Sequence, residues 1–559
     1  MIKPPSTIVS VLGALLWRNP IFARYCRSRL RARGLGVALL ITVLVAGFMV
    51  ALVGSIGVRS GTNVVDGARA GIIPLIVVQG LILFVLGTAQ VAGGMTAERD
   101  EGVIDYQRLI PMTPLAKVLG YLFGLPVREY AMFLATMPFM GWMLWRGEVP
   151  WSVWVPLYTI IFTTALLYHF TGLLTGTVVQ NRRWAFLVSI GLVFSLYTVI
   201  PQMAKFGLVF FKYLTITPVF EESLPSILPK GMGSMVSAVQ HLVPTVKFFN
   251  LDFSETVFTL FTQGGLILTF TVMLCRKWRR TEAHLLGKLW ALGWFIWVQL
   301  LLLGNALPLI DSGDLFPSRA FHLMAFEGKA WAPKAMEAVL MSGLYGLVTL
   351  LLIFLLTGII TPAPDDQLRG WRRARKQGLV ALPRLADATT AFWVVILMAI
   401  TGATGWMVFA RALVESSWFP GHLVPLSTWG FFVAVVLAGG VGFHGLLEAK
   451  GFRVVGLAAI FVGVVPVMAG AVLGAISDRM IPGATWLMGI SPLSMPLYAT
   501  GTLLTVAEIP AEAARAVPRA FFFWLVVSVL VAIWLAVRLR VARRAMAERV
   551  LGGLEEGSR

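Results

Sequence analysis

The sequence predicts an all-α polytopic membrane protein with about 12 transmembrane helices, built as two tandem six-helix bundles, N-in and C-in. Three observations predict it: of 559 residues 58% are hydrophobic, only 13% are charged, and mean hydropathy is +0.81. A soluble domain carries about a quarter of its residues as charge. A soluble enzyme, a disordered chain and a secreted disulfide scaffold are therefore excluded. A helix crosses roughly 30 Å of hydrocarbon with about 20 apolar residues, and this chain supplies about a dozen such stretches.

Taken in order, the spans are expected at 35–58, 71–95, 127–145, 151–178, 184–201 and 256–275 in the first half. In the second half they are expected at 289–310, 338–360, 391–410, 425–447, 454–476 and 520–537. The apolar stretch Ser6–Trp17 lacks a small-residue cleavage site and runs into Arg18-Asn19-Pro20. It is read as an interfacial helix and not as a signal peptide.

The basic residues set the sidedness. Placing the N-terminus in the cytoplasm puts 31 of the 46 Lys and Arg residues in cytoplasmic segments and 14 in outer loops; Arg128 starts a span. Every basic cluster then alternates correctly, from Arg24/Arg27/Arg29/Arg31/Arg33 to Arg538/Arg540/Arg543/Arg544, which is the orientation bias of inner-membrane proteins. The same bias explains the net charge of +19 as loops held against an anionic leaflet, so no nucleic-acid partner is expected. Cys26 and Cys275 both fall on the cytoplasmic side, and no disulfide is expected.

The loops repeat. Six spans end in Arg276-Lys277-Trp278-Arg279-Arg280, and six more end in a similar basic tail. In each half the longest outer segment, 202–255 or 477–519, separates the fifth and sixth spans and contains an apolar run with proline: His241–Pro244 and Ile490–Pro496. These runs are too short to cross, and are read as dipping into or lying along the outer leaflet. The units are expected at 1–280 and 281–559, the second more divergent.

Between the second and third spans lies the stretch Thr96–Pro114. Glu98, Glu101, Asp105 and Arg108 are spaced 3, 4 and 3 residues apart and would share one polar stripe of a helix, with Val103, Tyr106 and Ile110 on another face. Pro111 and Pro114 would end it. A solvated charge run and a docking surface both fit that pattern.

Glu98-Arg99-Asp100-Glu101-Gly102, followed by an apolar stretch, Pro111 and the segment Leu115–Gly120, resembles the cytoplasmic coupling region of type-2 ABC exporter permeases. Asn19-Pro20-Ile21 through Arg33 is similar to the basic connecting helix before their first span, and Ser491-Pro492-Leu493 to the turn before their sixth. Three features depart from the family pattern: Gly120-Tyr121 replaces the usual Gly-Lys, twelve spans replace six, and Asp365–Asp387 lacks the Glu-Arg-x-x-Gly signature. That second loop reads Arg369-Gly-Trp-Arg-Arg-Ala-Arg-Lys376 instead.

The resemblance implies a non-catalytic permease subunit in the bacterial cytoplasmic (inner) membrane. Its partners would be ABC-type ATPase subunits, the bilayer and further permease or accessory subunits. Glu98, Arg99, Asp100, Glu101, Gly102, Asp105, Arg108 and Pro111 would form the ATPase-coupling helix. Arg369, Arg372, Arg373, Arg375 and Lys376 would form a second coupling loop. ATP and Mg would enter through the partner alone. In keeping with this, the sequence contains no Gly-x-x-x-x-Gly-Lys-Ser/Thr phosphate loop.

No metal-ligand cluster is apparent in the sequence, and His169 and His444, alone on apolar helices, read as packed or hydrogen-bonded core residues. Arg128 and Glu129 follow Pro126. They form either a buried pair, costly at mid-bilayer, or, as preferred here, two groups at the edge of a span broken by that proline. The alternative function is a twelve-span ion-coupled secondary transporter, for which the intramembrane carboxylates are sparse.

Overall fold

The structure, a computed structural model, describes residues 18–59, 63–179, 182–229, 245–280, 282–319, 331–379, 381–505 and 514–552. The interfacial helix expected over 6–17 and the proline run at 241–244 lie outside them. Among the described residues ten helices are long and apolar enough to cross a membrane, or eleven if one bent pair counts as a span. The chain is an all-α multi-pass membrane protein.

The expected spans 425–447 and 454–476 follow one another with no loop between them. Ser427–Ile476 is a 50-residue helical stretch, too many residues for one crossing of roughly 30 Å at about 1.5 Å per residue. Gly451, at φ 74° and ψ 178°, breaks it. The third expected span, 127–145, is the helix Val127–Arg146, and a second apolar helix precedes it. Pro114–Gly124 and Val127–Arg146 meet at a 52° bend, where Pro126 cannot continue the helical ladder.

The chain packs as two compact units. The first comprises Met1–Met203, Phe211–Val246 and Asp252–Thr281; the second comprises Ala204–Phe210, Lys247–Leu251 and Glu282–Arg559. The first unit contains α1 (Pro20–Arg29), α2 (Ala32–Arg59), α3 (Val64–Asp100), α4 (Val103–Leu109), α5 (Pro114–Gly124), α6 (Val127–Arg146) and α7 (Trp151–Val178). It is completed by α8 (Arg182–Phe194), α9 (Thr217–Ile227) and α10 (Glu255–Arg279).

Within this unit α3 carries a π turn at Leu81–Gly87. Such a turn displaces backbone carbonyls from the α ladder, and the Leu83 carbonyl lies 3.0 Å from His169 Nε2. His169 Nδ1 lies 2.8 Å from the Tyr130 hydroxyl, so this histidine is a hydrogen-bonded core residue. A Cβ at Gly87 would sit 2.5 Å from His169 Nε2. Nearby, Tyr158 donates to Gln79 Oε1 at 2.6 Å and Gln79 Nε2 donates to Thr136 Oγ1 at 2.9 Å, linking α7, α3 and α6. Buried amides need such partners where no water competes.

The second unit contains α11 (Lys288–Ser312), α12 (Ala335–Ile360), α13 (Pro364–Lys376), α14 (Phe392–Val414), α15 (Ser427–Ala458), α16 (Val465–Ile476), α17 (Ile481–Met488), α18 (Met495–Leu503) and α19 (Ala516–Gly552). Its centre is the Trp406 indole, stacked on Phe432 at 3.7 Å and 4°. The stack is admitted by Gly346, where a Cβ would meet the indole at 2.6 Å. Tyr345, Gln299 and Thr349 repeat the tyrosine–glutamine–threonine chain at 2.7 and 3.2 Å. In the expected outer-leaflet run, Ser491 is buried and donates to the Gly463 carbonyl at 2.6 Å.

Candidate functional site around Glu98 and the helix Val103–Leu109

The site begins with a glycine. Asp100 is the last residue of α3, Glu101 caps it, and Gly102 takes the left-handed conformation, φ 72° and ψ 5°. An L side chain there costs roughly 1–2 kcal/mol, so glycine is the residue that can end the helix and reverse the chain. Seven residues of α4 follow. Ile110 is extended before Pro111, and Thr113 Oγ1 accepts from Ala116 N at 3.2 Å to cap α5. The single stripe expected for Glu98, Glu101, Asp105 and Arg108 is therefore not formed. Glu98 turns into the protein, while Glu101 and Asp105 face outward.

Glu98 is a hub. Its side chain is 14% exposed, and Oε1 accepts from the Arg24 guanidinium and from the Tyr25 hydroxyl, the latter at 2.8 Å. The Tyr121 hydroxyl has one hydrogen and two acceptors. Gln107 Oε1 at 2.6 Å takes the stronger share and Glu98 Oε2 at 3.2 Å the weaker. One carboxylate thus joins α1, α3 and α5, and Tyr121 extends the network to α4. Burial, then the negative charge of Glu98, pushes the Tyr25 phenol above its ordinary range, so the hydroxyl stays a donor at neutral pH.

The backbones are close enough for this because α5 presents glycines to α1. Cβ atoms at Gly120 and Gly124 would stand 2.8 Å from Asn19 Oδ1 and 2.8 Å from Tyr25 Cδ2. Asn19 caps α1 through Ile21 N at 3.0 Å, and its Nδ2 donates to the Ala116 carbonyl at 2.6 Å. An apolar cluster including Tyr25, Met95, Ile104, Tyr121, Leu125 and Trp278 fills the space around these bonds. Trp278, from the end of α10, stacks on Tyr121 at 5.4 Å.

The other expected coupling residues divide into two groups. Arg99 is an internal cap. It donates to the carbonyls of Gly176, Thr177 and Val179 at 3.3, 3.2 and 2.5 Å, satisfying the open end of α7, and pairs with Asp100 at 3.0 Å. Arg108 pairs with Asp105. What remains outward is Asp100, Glu101, Gly102, Asp105, Pro111 and two further side chains: Tyr106 is 70% exposed and Leu109 82%. The face that packs inward is not the expected second face of Val103, Tyr106 and Ile110 but that of Ile104 and Gln107.

The second expected coupling element is a helix and not a loop. In α13, Asp365 and Asp366 occupy the first turn and Arg373, Arg375 and Lys376 the last, charges that complement the helix dipole at both ends. Arg369 and Arg373, one turn apart, both bind the Glu282 carboxylate, Arg369 at 3.2 Å. The Arg373 and Arg369 guanidinium groups hold that carboxyl below the usual range. Arg372, Arg375 and Lys376 point outward.

Arg128 and Glu129 sit just after the Pro126 break, with Arg128 Nη2 on Glu129 Oε1 at 3.0 Å. Arg128 is 39% exposed and Glu129 3%, so the pair combines both expectations: a span edge for one residue and burial for the other. Among the described residues, no cluster of three or more His, Cys, Asp or Glu could hold a metal, and Cys26 and Cys275 are free thiols.

Sequence reasoning missed Arg24, Tyr25, Gln107, Tyr121 and Trp278 as members of the site. Their signal lay in Gly120 and Gly124 flanking Tyr121, a pattern that admits a second helix and places an aromatic donor beside it. No protein-family profile, curated protein or solved structure matches the chain.

Proposed function

We propose that this chain is the permease subunit of an ATP-driven exporter of the ABC type, in a bacterial cytoplasmic membrane, and that a separate ATPase docks on α4. The observation that carries the reading is the outward pair Tyr106 and Leu109 beside Glu101 and Asp105, mounted on the Glu98 hub. Apolar side chains presented by a short, rigidly anchored helix are the form that interface anchors take. The flanking acids match a basic rim on the partner.

A push on α4 reaches Tyr121 through Gln107 and then Glu98. Glu98 is bonded to α1 as well as α5, so α1, α3 and α5 would move as a body. No covalent chemistry is asked of these residues; ATP and Mg belong to the ATPase. The basic helix α13 would supply a second contact of opposite charge, which makes the two ATPase contacts non-equivalent. The resulting tilt of two six-span bundles would open the path for cargo.

The test is co-purification. E101K/D105K and L109D should each lower the ATPase retained by the membrane-inserted chain at least tenfold, and unchanged retention would overturn the docking site. The ion-coupled transporter is the competing class. Uphill solute movement by the isolated chain in vesicles, driven by an ion gradient alone, would establish it and defeat the proposal.

A further inference from the structure

The second unit holds a buried carboxylate that the sequence reading passed over. Glu448 lies on α15, three residues before the Gly451 break, with its side chain 2% exposed. Arg543 of α19 reaches it with Nε 2.8 Å from Oε1 and with Nη2 donating to Oε2 at 3.2 Å. Gln367 of α13 donates from Nε2 to Oε1 at 2.8 Å. Thr390, just before α14, donates to Oε2 at 3.4 Å.

His444, one turn earlier on α15, completes the cluster. Its Nε2 is 3.2 Å from Glu448 Oε2 and 3.1 Å from Thr390 Oγ1, and its Nδ1 is 3.1 Å from Thr361 Oγ1 at the end of α12. With the hydrogen assigned to Nε2, the imidazole donates toward the carboxylate and accepts from Thr361. Segments from α12, α13, α14, α15 and α19 therefore converge on one carboxylate and its neighbouring ring.

The grip on α13 is narrow. The fully buried residues of that helix are Gln367, Gly370 and Ala374, and two of these are small. Gly370 allows close approach, since a Cβ there would meet Ala388 at 2.3 Å, but it adds little apolar area. The directional hold on the inner face of α13 is thus the Gln367 amide on Glu448. Glu98 in the first unit is a looser parallel: a part-buried carboxylate that binds an arginine from another helix and reaches the surface helix α4 only through Tyr121 and Gln107. A buried ion pair gives little net stability over apolar packing but fixes geometry, which suits a part that must pass on displacement.

We propose that Glu448 is the positioning residue through which movement of α13 reaches α15 and α19, with Gln367 as the link. This rests on the transport reading above.

The experiment uses the full chain with its co-purified ATPase in nanodiscs, with hydrogen exchange compared with and without ATP plus vanadate. Gln367→Ala is the main variant because it leaves the Glu448–Arg543 pair intact. The expected result is at least a tenfold rise in exchange over 364–376 without nucleotide. ATPase retention and turnover should stay within twofold of the unsubstituted complex, while the nucleotide-dependent change over 427–447 and 516–552 shrinks at least fivefold. Gln367→Lys, which can still donate to the carboxylate, should restore that change.

Persistence of the change in Q367A, or identical behaviour of the alanine and lysine variants, would overturn the proposal. An unsubstituted chain that binds no ATPase would overturn the transport reading and the positioning role together. Exchange over 364–376 in the chain alone would then still decide whether Gln367 tethers α13.

Discussion

Removing the Glu98 carboxylate should release α1 from the first unit. In Glu98→Ala, the Tyr25 hydroxyl loses a 2.8 Å acceptor and Arg24 loses its carboxylate. Tyr121 keeps Gln107 and loses only its weaker share. The Tyr25 hydroxyl donates to a charged, part-buried carboxylate, worth about 1.5 kcal/mol net at the low end of such bonds. The Arg24 pair is charge-assisted, but Arg24 is 44% exposed, so its contribution is discounted to about 1 kcal/mol. With a smaller term for Tyr121, the sum is about 2–3 kcal/mol, or roughly 30- to 150-fold in the opening equilibrium.

The assay is hydrogen exchange of the 20–29 amides in nanodiscs. Those amides should speed up by that factor while the 151–178 amides stay unchanged. Glu98→Gln keeps an acceptor oxygen and should show about fivefold, near 1 kcal/mol. The pH profile has a definite sign. The folded Tyr25 phenol is raised above its unfolded value of about 10. The protection it gives α1 should therefore be complete below about pH 10 and be lost as pH rises beyond that. A change under threefold in Glu98→Ala, or protection from Tyr25 that falls away between pH 6 and 9, would refute the hub.

Two other perturbations follow from the packing. Gly124→Ala forces a Cβ against the Tyr25 ring and should weaken the α1–α5 contact by about 1–3 kcal/mol; Gly36→Ala, with nothing within 4 Å, should be neutral or stabilise α2 by up to about 1 kcal/mol, and thermal unfolding of the two variants should move in these opposite senses. Gln79→Leu removes the middle of the Tyr158–Gln79–Thr136 chain and should lower stability by about 1–2 kcal/mol, read as a shift in the denaturation midpoint; an unchanged midpoint would show the chain to be idle.

Membrane class and the location of most spans were legible because hydropathy is summed residue by residue along a window. Arg276–Arg280 likewise marked the end of a long apolar helix. How neighbouring helices join was less legible, because backbone geometry and not composition decides it. Pro126 was legible as a break before the third span, whereas the apolar helix that meets it at a 52° bend was not. Gly451 lies between two expected spans and does break the helix there, though without the loop that separates the other spans. Arg369–Lys376 read as a loop because its charges were striking, although Pro364 and the acidic first turn mark a helix start.

The site was legible as a segment and not as an arrangement. Helical spacing put Glu98 and Asp105 on one face, and that inference failed at a single left-handed residue, Gly102, which reverses the chain between them. Arg99 looked like part of an acidic and basic docking run until the open end of α7 claimed it. Composition and periodicity by themselves fixed the solvent each stretch of this chain lives in, because transfer from water to lipid is a property of single residues. Which carboxylate is buried, and what it holds, was decided in the tertiary structure. Glu98 meets Arg24 and Tyr25 across more than seventy residues, and Glu448 meets Gln367 and Arg543 across more than eighty; such pairings exist only once distant helices have packed.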